Sequence, residues 1–306
     1  MHSALSGAPC AGHPGWRRPP AGIGSRVRSC AGTVIDRLCA LARGKAVVVL
    51  TGAGLSTESG IPDYRSPEAL ARTRRPIHGP EFVRSEAVRR RYWARSALGW
   101  ERMRDAEPNA GHRAIAELER TGAITHVITQ NVDRLHFKGG SRKVIELHGA
   151  LAEVKCLACE AVEDRDALQE RILALNVGWT SRDAPTAPDG DADLPGDLVD
   201  AFLVPACLNC GGVLKPRVVF FGDSVPRPIV DEAFGATDRA ELLLVVGSSL
   251  AVYSGYRFLR RAVERGIPIA IVNRGAVRGE EHAALKIEAS TGVTLEALAG
   301  ALARHA

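Results

Sequence analysis

The sequence predicts an α/β fold built on a doubly wound, parallel, Rossmann-like sheet that two insertions interrupt. Three observations support this prediction. Short β-branched runs alternate with helical patterns, polar or glycine-rich turns follow several of these runs, and two Cys-x-x-Cys pairs break the alternation. Strands that alternate with helices favour a parallel sheet. In such a sheet the turns that follow the strands lie at one edge, where ligands bind.

The composition indicates a globular protein and excludes several function classes. Of the 306 residues, 25% are charged and 45% hydrophobic, and the net charge is +5. This mildly basic balance does not require a nucleic-acid partner, and the aromatic content of 5% argues against a surface that stacks bases. No apolar run reaches the roughly 18 to 20 residues of a membrane span, so we expect neither nucleic acid nor membrane as a partner.

Residues 1–32 contain no acidic residue and are rich in Gly, Pro, Ala and Arg. We expect a disordered N-terminal extension, because the Pro and Gly content spoils the amphipathic helix of a transit leader. A helical pattern follows over residues 33–43. The run AVVVL at 46–50 then predicts a strand that is buried on both faces.

The first strand runs into TGAGLSTESGIPDYRS at residues 51–66. Gly52 and Gly54 let the backbone approach a ligand closely, and the small residues after them can open a helix that attracts phosphate. This spacing is not the usual G-x-G-x-x-G, so by itself it is a weak signal. The charged, Arg-rich residues 67–108 are typical of an inserted helical module.

Residues 129–149, TQNVDRLHFKGGSRKVIELHG, place many polar groups directly after an apolar segment. The predicted strand ITHVIT at 124–129 delivers it at its carboxyl end. It holds an amide pair, a carboxylate and two histidines: Gln130, Asn131, Asp133, His136 and His148. A core has no use for so many polar groups beside a strand, so the stretch indicates a functional site.

Two Cys-x-x-Cys pairs predict a metal site. Cys156 and Cys159 form the first pair, and Cys207 and Cys210 form the second, with Gly211 and Gly212 directly after it. Two such pairs match the tetrahedral Cys₄ arrangement of zinc. Because four cysteines leave no open coordination position for water, we expect one structural rather than catalytic Zn²⁺.

The alternating pattern returns after the second cysteine pair. Strands are predicted at 217–221, 242–246, 267–272 and 285–287, and helices at 256–265 and 295–302. We therefore expect a Rossmann-like domain in three pieces, with the helical module and the zinc-binding small domain inserted between them. The Rossmann-like domain is expected at residues 33–66, 109–150 and 213–306. The helical module is expected at 67–108 and the zinc-binding small domain at 151–212.

Four strand ends carry polar or glycine-rich turns, at residues 51–54, 129–133, 247–249 and 273–275. One such turn could be an ordinary helix cap. Four at one sheet edge favour a dinucleotide crevice. The acid that marks nicotinamide-dependent dehydrogenases, about 20 residues past the first turn at the end of a second strand, is not clearly present. The nucleotide is therefore expected to be a consumed reactant.

Seven motifs together resemble the sirtuin family. They are GAGLSTESGIPDYRS, TQNVDRLHFKGG, ELHG, the paired Cys-x-x-Cys, FFGDSVP, GSSLAVYS and VNRG, in order and with the family's spacing from about residue 34 to the C-terminus. Further details, such as RRPIHG and GSSLAVYSGYRF, are similar to class II sirtuins, the group that includes human mitochondrial sirtuin 4.

This resemblance implies an NAD-dependent protein-lysine deacylase that acts on acyl-lysine protein substrates. NAD would be consumed, and nicotinamide and O-acyl-ADP-ribose would be released. His148 of ELHG would be the general base on the ribose hydroxyls, a task suited to an imidazole with a pKa near 6.5. Asn131 would be the second catalytic residue, and His136 is assigned a structural role.

The resemblance also implies a set of NAD-binding residues. Gly52, Ala53, Gly54 and Ser56 would face the phosphates and ribose, and Ile61 and Asp63 the nicotinamide, with Tyr64 and Arg65 as a lid. Gln130, Asn131 and Asp133 would orient the ribose and nicotinamide. The adenosine half would fall to Gly247, Ser248, Ser249, Asn273, Arg274, Gly275 and Thr291.

Two features leave the acyl preference open. FGDSVP stands where the best-known deacetylases have an FGE form. Tyr92 and Arg95 form a Tyr-x-x-Arg pair, which desuccinylating sirtuins use to bind an acidic acyl group, and a guanidinium suits a carboxylate. The competing interpretation is a surface arginine with a packed tyrosine beneath it.

Other functions also stay open at this point. Protein mono-ADP-ribosyl transfer and lipoamidase activity would use the same scaffold, and a non-catalytic NAD-sensing interaction module is the alternative of another class. The abundance of Arg, Ala and Gly favours a bacterial cytoplasm, with the mitochondrial matrix as the alternative. The oligomeric state is not predicted.

Overall fold

The structure is a computed structural model, and it describes residues 30–63, 76–179 and 199–304. Most of the predicted N-terminal extension and the predicted lid residues Tyr64 and Arg65 lie outside this range. Within the described ranges, every helix is too short or too polar to span a lipid bilayer.

A six-stranded parallel sheet forms the larger part of the molecule, with the strand order β3-β2-β1-β7-β8-β9. Its strands are β1 (Val47–Thr51), β2 (Ile124–Thr129), β3 (Val144–Glu146), β7 (Leu242–Val246), β8 (Ile269–Val272) and β9 (Leu285–Ile287). The predicted α/β class and parallel sheet are thus confirmed. The bounds of β2, β7 and β9 are those that the apolar runs predict.

Helices cover both faces of this sheet. They are α1 (Cys30–Ala42), α4 (Ala110–Arg120), α5 (Leu135–Lys138), α7 (Arg227–Asp238), α8 (Tyr253–Glu264) and α9 (Thr291–Ala303). In β1, Val47 and Val49 pack into the core with α1, α4 and α9, whereas Val48 and Leu50 pack into the core with α7 and α8. Successive side chains point to opposite faces, so a strand between two helical layers must be apolar throughout.

A second, three-stranded antiparallel sheet has the order β5-β4-β6. It consists of β4 (Gly149–Cys156), β5 (Val162–Asp164) and β6 (Leu214–Val218), and α6 (Arg165–Leu175) packs beside it. The predicted strand at 217–221 is wrong in both bounds and sheet. The apolar run at 218–221 does not reveal which strand it pairs with, and Phe221 at its end is 45% exposed. Tertiary pairing with β4 fixes the strand at Leu214–Val218 instead.

The helical module contains α2 (Gly79–Arg84) and α3 (Glu86–Asp105). Trp93 of α3 is fully buried with Val154 and Leu168 of the smaller sheet and α6. The module therefore shares a core with the smaller sheet.

The carboxyl ends of β1, β2, β7 and β8 lie at one edge of the parallel sheet. The polar turns that the sequence predicts at these ends therefore meet there. The helix α8 begins at Tyr253, three residues before its predicted start at 256. This early start brings Ser254 and Gly255 into the first turn of the helix, beside the polar turns.

Candidate active site

The turns after β1 and β7 interlock through glycine. A Cβ atom on Gly52 would lie 2.7 Å from the Cβ of Ser248, and one on Gly54 would lie 2.9 Å from the carbonyl oxygen of Gly247. Gly247 has φ +59°, and its added Cβ would lie 2.3 Å from the nitrogen of Leu55. These glycines allow the two turns to pack directly against each other, and they also leave room for a ligand to approach the backbone.

Asn131 and Asp133 hold the β2 turn against the β1 turn. The Asn131 Nδ2 donates to the carbonyl oxygen of Gly52 at 3.1 Å and to Ser56 Oγ at 3.0 Å. Ser56 Oγ donates to Asp133 Oδ2 at 2.7 Å, while Asp133 Oδ1 accepts from the Leu135 amide at 2.9 Å. Burial raises the pKa of Asp133, against these donors, which lower it. The sequence-predicted polar residues of both turns are thus joined in one network.

Gln130 connects the network to β7 and α8. Its Nε2 donates to Ser248 Oγ at 2.8 Å and to the carbonyl oxygen of Thr51 at 3.2 Å. A Cβ on Gly255 would lie 2.4 Å from Gln130 Oε1, so a side chain at residue 255 would displace the Gln130 amide from its present position.

Three backbone amides at this edge have no hydrogen-bond acceptor within the described parts of the chain. They belong to Ala53, Ser248 and Ser249, each just past the end of β1 or β7. The side-chain Oδ1 of Asn131 also has no donor there. Unpaired amides and polar oxygens at the carboxyl ends of parallel strands suit a ligand rich in phosphate and hydroxyl groups. The residues present therefore fit a dinucleotide.

His148 lies between the two sheets, after β3 ends at Glu146 and before β4 begins at Gly149. Its carbonyl oxygen accepts from the Val219 amide at 2.9 Å. Gly149 has φ +76°, and a Cβ there would lie 2.0 Å from the carbonyl oxygen of Arg217. Only glycine can follow the histidine at this close approach to β6.

Two hydrogen bonds determine the tautomer of His148. Its Nδ1 lies 2.8 Å from the carbonyl oxygen of Gln130, and its Nε2 lies 2.7 Å from Ser254 Oγ. A carbonyl oxygen only accepts, so Nδ1 carries the proton and Nε2 of the neutral ring accepts from Ser254. Burial lowers the pKa of His148, the bond to Gln130 raises it, and the nearby Arg257 charge lowers it. The ring is therefore a neutral base with its lone pair at Nε2.

His136 differs from His148 although both belong to one polar stretch. It is 1% exposed, its Nε2 lies 2.9 Å from Thr51 Oγ1, and its ring packs edge-on against His112 at 5.0 Å. Burial lowers its pKa well below 6.5. No ligand can reach a fully buried ring, so the contacts agree with the structural role predicted for His136.

The remaining predicted ligand residues lie around this network. Ile61 is buried beside Trp100 and Leu135, and Asp63 closes the described part of the β1 turn. Asn273 Nδ2 donates to the carbonyl oxygens of Arg274 and Gly275, so it shapes its own turn. Thr291 is buried in the first turn of α9. The preceding Ser290 donates to Glu58 beside the β1 turn at 2.6 Å.

Tyr92 is 3% exposed and stacks edge-on with Phe82, Trp93 and Phe220. Its ring is thus a member of the core between the helical module and the loop after β6. Arg95 is half-buried one turn later. In the FGDSVP loop, Asp223 Oδ2 accepts from the Phe220 amide at 3.2 Å and pairs with Lys215 at 3.3 Å. This aspartate therefore stabilises the loop from within.

The four predicted metal ligands come together at the end of the smaller sheet. The Sγ atoms of Cys156, Cys159, Cys207 and Cys210 all lie within 4.8 Å of one another. The Cys156–Cys210 and Cys159–Cys207 distances are 3.6 and 3.7 Å. A tetrahedral zinc with Zn–S bonds of about 2.3 Å separates its sulfurs by about 3.8 Å. The donor set thus fits Zn²⁺.

Hydrogen bonds and glycines support the cysteine cluster. The Asn209 side chain donates to Cys159 Sγ at 3.5 Å, and this bond is the main cause that lowers the pKa of the Cys159 thiol to about 6. Gly211 has φ +72°, and a Cβ on Gly212 would lie 2.9 Å from Cys156 Sγ. Both features suit thiolates in a tight knuckle around a metal.

Comparison with known proteins assigns the family. A sequence profile described as the Sir2 family matches residues 52–254, which is most of the chain. The chain belongs to the Sir2 family. The NAD-dependent protein deacetylase 1 of Mycobacterium avium is 49% identical over 270 residues, 87% of this chain and 94% of that protein. The NAD-dependent protein lipoamidase sirtuin-4, mitochondrial, of Bos taurus is 49% identical over 254 residues, 82% of this chain and 81% of that protein.

Solved structures of other Sir2 proteins share this fold. A Sir2 complex with a p53 peptide and NAD⁺ has a TM-score of 0.67 at 31% identity, over 89% of this chain and 98% of that one. A Sir2 structure concerned with mechanism and regulation has a TM-score of 0.71, also at 31% identity, over 90% of this chain and 99% of that one. The predicted family and Rossmann-like fold are therefore confirmed.

Sequence reasoning about this Sir2 chain missed two residues beside His148. Ser254 contacts its Nε2, and Arg257 acts on its pKa. Ser254 lies within the motif GSSLAVYS, but no local pattern indicates a contact with a histidine 106 residues earlier in the chain.

Proposed function

We propose that this chain is an NAD-dependent protein-lysine deacylase that consumes NAD and releases nicotinamide and O-acyl-ADP-ribose. The deciding observation is the neutral His148, whose Nε2 lone pair lies at the open edge of the parallel sheet. Membership of the Sir2 family and the deacetylase and deacylase names of relatives at 49% identity support the same function. The predicted enzyme class agrees with these comparisons.

In this proposal NAD binds across the polar edge of the sheet. The free amide of Ala53, between Gly52 and Gly54, and those of Ser248 and Ser249 would donate to phosphate or ribose oxygens. Asn131 would present its unpaired Oδ1 to the bound dinucleotide. Asp133, with both oxygens engaged by Ser56 and Leu135, would hold the turn in shape.

The turn of Asn273, Arg274 and Gly275 would hold the adenosine half of NAD from the end of β8, together with Thr291 at α9. Ile61 and Asp63 would hold the nicotinamide, with Tyr64 and Arg65 as the lid.

His148 would act as the general base. When bound, NAD supplies the ribose carbon that loses nicotinamide and the hydroxyl that carries the acyl group away. The Nε2 of His148 would take the proton of a ribose hydroxyl, after that hydroxyl replaces Ser254 Oγ as its partner. The bond from Nδ1 to Gln130 would stabilise the cationic ring that results.

The four cysteines would hold one structural zinc ion. Since all four positions around the metal are cysteine sulfur, zinc would keep the Cys156 end of the smaller sheet folded, at the opposite end of β4 from His148, and take no part in catalysis.

Acyl-lysine protein substrates are the proposed partners. A related structure, 31% identical, was determined with a peptide and NAD⁺, and another, 32% identical, was determined with a propionylated peptide. We propose a bacterial cytoplasm as the compartment on the basis of composition. The mitochondrial name of the cattle relative supports the matrix as the alternative, and its lipoamidase name makes lipoyl-lysine a second candidate substrate.

One assay tests this function. The purified protein is incubated with NAD and peptides that carry acetyl-, succinyl-, glutaryl-, long-chain acyl- or lipoyl-lysine, and the release of nicotinamide is followed. We expect release with at least one acyl peptide, in equal amounts with O-acyl-ADP-ribose. Release only with an unmodified protein would replace deacylation by ADP-ribosyl transfer. No release with any substrate would leave an NAD-sensing module.

A further inference from the structure

A cleft of about 300 Å³ lies between α7 and α8 and is lined by arginine. Its lining residues are Phe234, Tyr253, Arg257, Arg260, Arg261 and Glu264. No residue that the sequence analysis assigns to NAD or zinc belongs to this lining.

The charges in the cleft do not cancel. Arg261 makes two bonds to Asp238, at 2.7 and 2.9 Å, and Arg260 lies 3.4 Å from Glu264. Arg257 has no carboxylate partner in the described part of the chain, and its Nε is buried without a hydrogen-bond partner there. Three guanidinium groups thus face two carboxylates, and the uncompensated positive charge lies on Arg257.

Tyr253 holds this charge in a defined place. The guanidinium carbon of Arg257 lies 5.3 Å from the centre of the Tyr253 ring, and Arg260 Nη1 lies 3.4 Å from the Tyr253 hydroxyl. A guanidinium oriented by an aromatic ring keeps its donors in a plane that suits a carboxylate. Tyr253 itself is 51% exposed, so a ligand can reach this group.

The cleft is adjacent to the proposed catalytic base. Ser254, which contacts His148, directly follows Tyr253, and Arg257 lies one helical turn beyond. One turn spans about 5.4 Å, and an extended peptide advances about 3.3 to 3.6 Å per residue. A substrate whose modified lysine reaches His148 would therefore pass Arg257 with a residue about one or two positions away. Val252, which directly precedes Tyr253 and is 42% exposed, provides apolar surface beside the cleft.

We infer that Arg257, with Arg260 and Tyr253, forms a subsite for an aspartate or glutamate that flanks the modified lysine in the protein substrate. This inference rests on the proposed deacylase function and specifies its substrate class. The carboxylate of the substrate would form an ion pair with Arg257, which has no carboxylate partner within the described residues.

Peptide binding tests the inference independently of turnover. A fluorescent acetyl-lysine peptide with alanine flanks is compared with six versions that carry one Asp at positions −3 to +3. We expect at least one Asp position to tighten binding about five- to tenfold, measured by fluorescence anisotropy, in the wild-type protein. In Arg257→Gln that peptide should bind within about twofold of the alanine peptide. The matched control Arg304→Gln changes an exposed arginine outside the cleft and should keep the preference.

A charge exchange separates recognition from misfolding. Arg257→Glu should prefer a peptide with Lys at the same position over the Asp peptide, which a misfolded variant could not do. Equal binding of all peptides to the wild type, no measurable binding of any peptide, or a preference that persists in Arg257→Gln would each overturn the inference. An Asp preference without nicotinamide release would retain the subsite and contradict the deacylase function. Nicotinamide release at the same rate with the Asp and alanine peptides, without a binding preference for Asp, would retain the deacylase function and contradict the subsite.

Discussion

The strand-end cluster around His148 and the four-cysteine cluster are both groups of reactive side chains, and they differ in how their atoms are used. The four sulfurs face one another within 4.8 Å and leave no donor position open. At the strand ends, the backbone amides of Ala53, Ser248 and Ser249 have no hydrogen-bond acceptor within the described residues. The Nε2 lone pair of His148 accepts from the Ser254 hydroxyl, which a substrate hydroxyl could replace. A closed set of ligands stabilises a fold, whereas open donors and a neutral base can act on a substrate.

Cys207→Ala is expected to have the largest effect, because it removes one of four ligands from the closed cluster. Metal binding to such a site contributes directly to folding, so we expect loss of the one zinc per chain and a fall of about 3 kcal/mol or more in the free energy of unfolding. Activity should decline together with folded protein. Zinc content and a thermal melt measure both. Cys39→Ala changes a buried cysteine of α1 and should retain zinc. A Cys207→Ala protein with full zinc content would show that the cluster is not the metal site.

His148→Tyr tests the open cluster. Loss of a general base lowers turnover by about 10²- to 10⁴-fold, while the melting temperature should change little because the ring is only half-buried. Single-turnover nicotinamide release and a thermal melt separate these quantities. His282→Tyr replaces an exposed histidine and serves as the control, with activity near that of the wild type. If His148→Tyr lost activity only in proportion to its loss of folded protein, His148 would have a structural role, as the cysteines have.

Ser254→Ala should have the smallest effect and appear in the pH profile. The lowered pKa of His148 keeps the base neutral as the pH falls through 6.5, so the acidic loss of kcat/KM for NAD should lie below that pH. The Ser254 hydroxyl donates to Nε2 and stabilises the neutral ring. Its removal should raise the pKa of His148 and move the acidic loss to higher pH. A hydrogen bond of about 1 kcal/mol changes the ratio of neutral to charged ring about fivefold.

A purely structural serine would lower kcat/KM equally at every pH. Ser254→Thr, which retains the hydroxyl, should restore the wild-type profile. If Ser254→Ala leaves the acidic side of the profile unchanged, Ser254 does not act on His148.

Much of the fold could be predicted because its signals are local. The apolar runs of β1 and β7 and the periodicity of the helices can be recognised from neighbouring residues alone. The spacing of the two Cys-x-x-Cys pairs by itself indicates a zinc site. Seven co-linear motifs were enough to assign the family. The wrong strand at 217–221 arose from the same local reasoning, since an apolar run does not reveal which sheet it joins. The domain bounds and the roles of single NAD-binding residues stay predictions.

The sequence by itself thus determined the α/β class, the parallel strands, the cysteine cluster and the Sir2 family, and its resemblance to sirtuins predicts His148 as the base. Tertiary structure alone decided which atoms surround that base. Strand order brings Gly247 against Gly52, and α8 brings Ser254 to Nε2 and Arg257 to the neighbouring cleft. The contact of Ser254 with His148 joins residues 106 positions apart, and Gly247 lies 195 positions after Gly52. Hydrophobic periodicity specifies which face of each element is buried, whereas the contacts between strand-end turns depend on the order in which the strands pair.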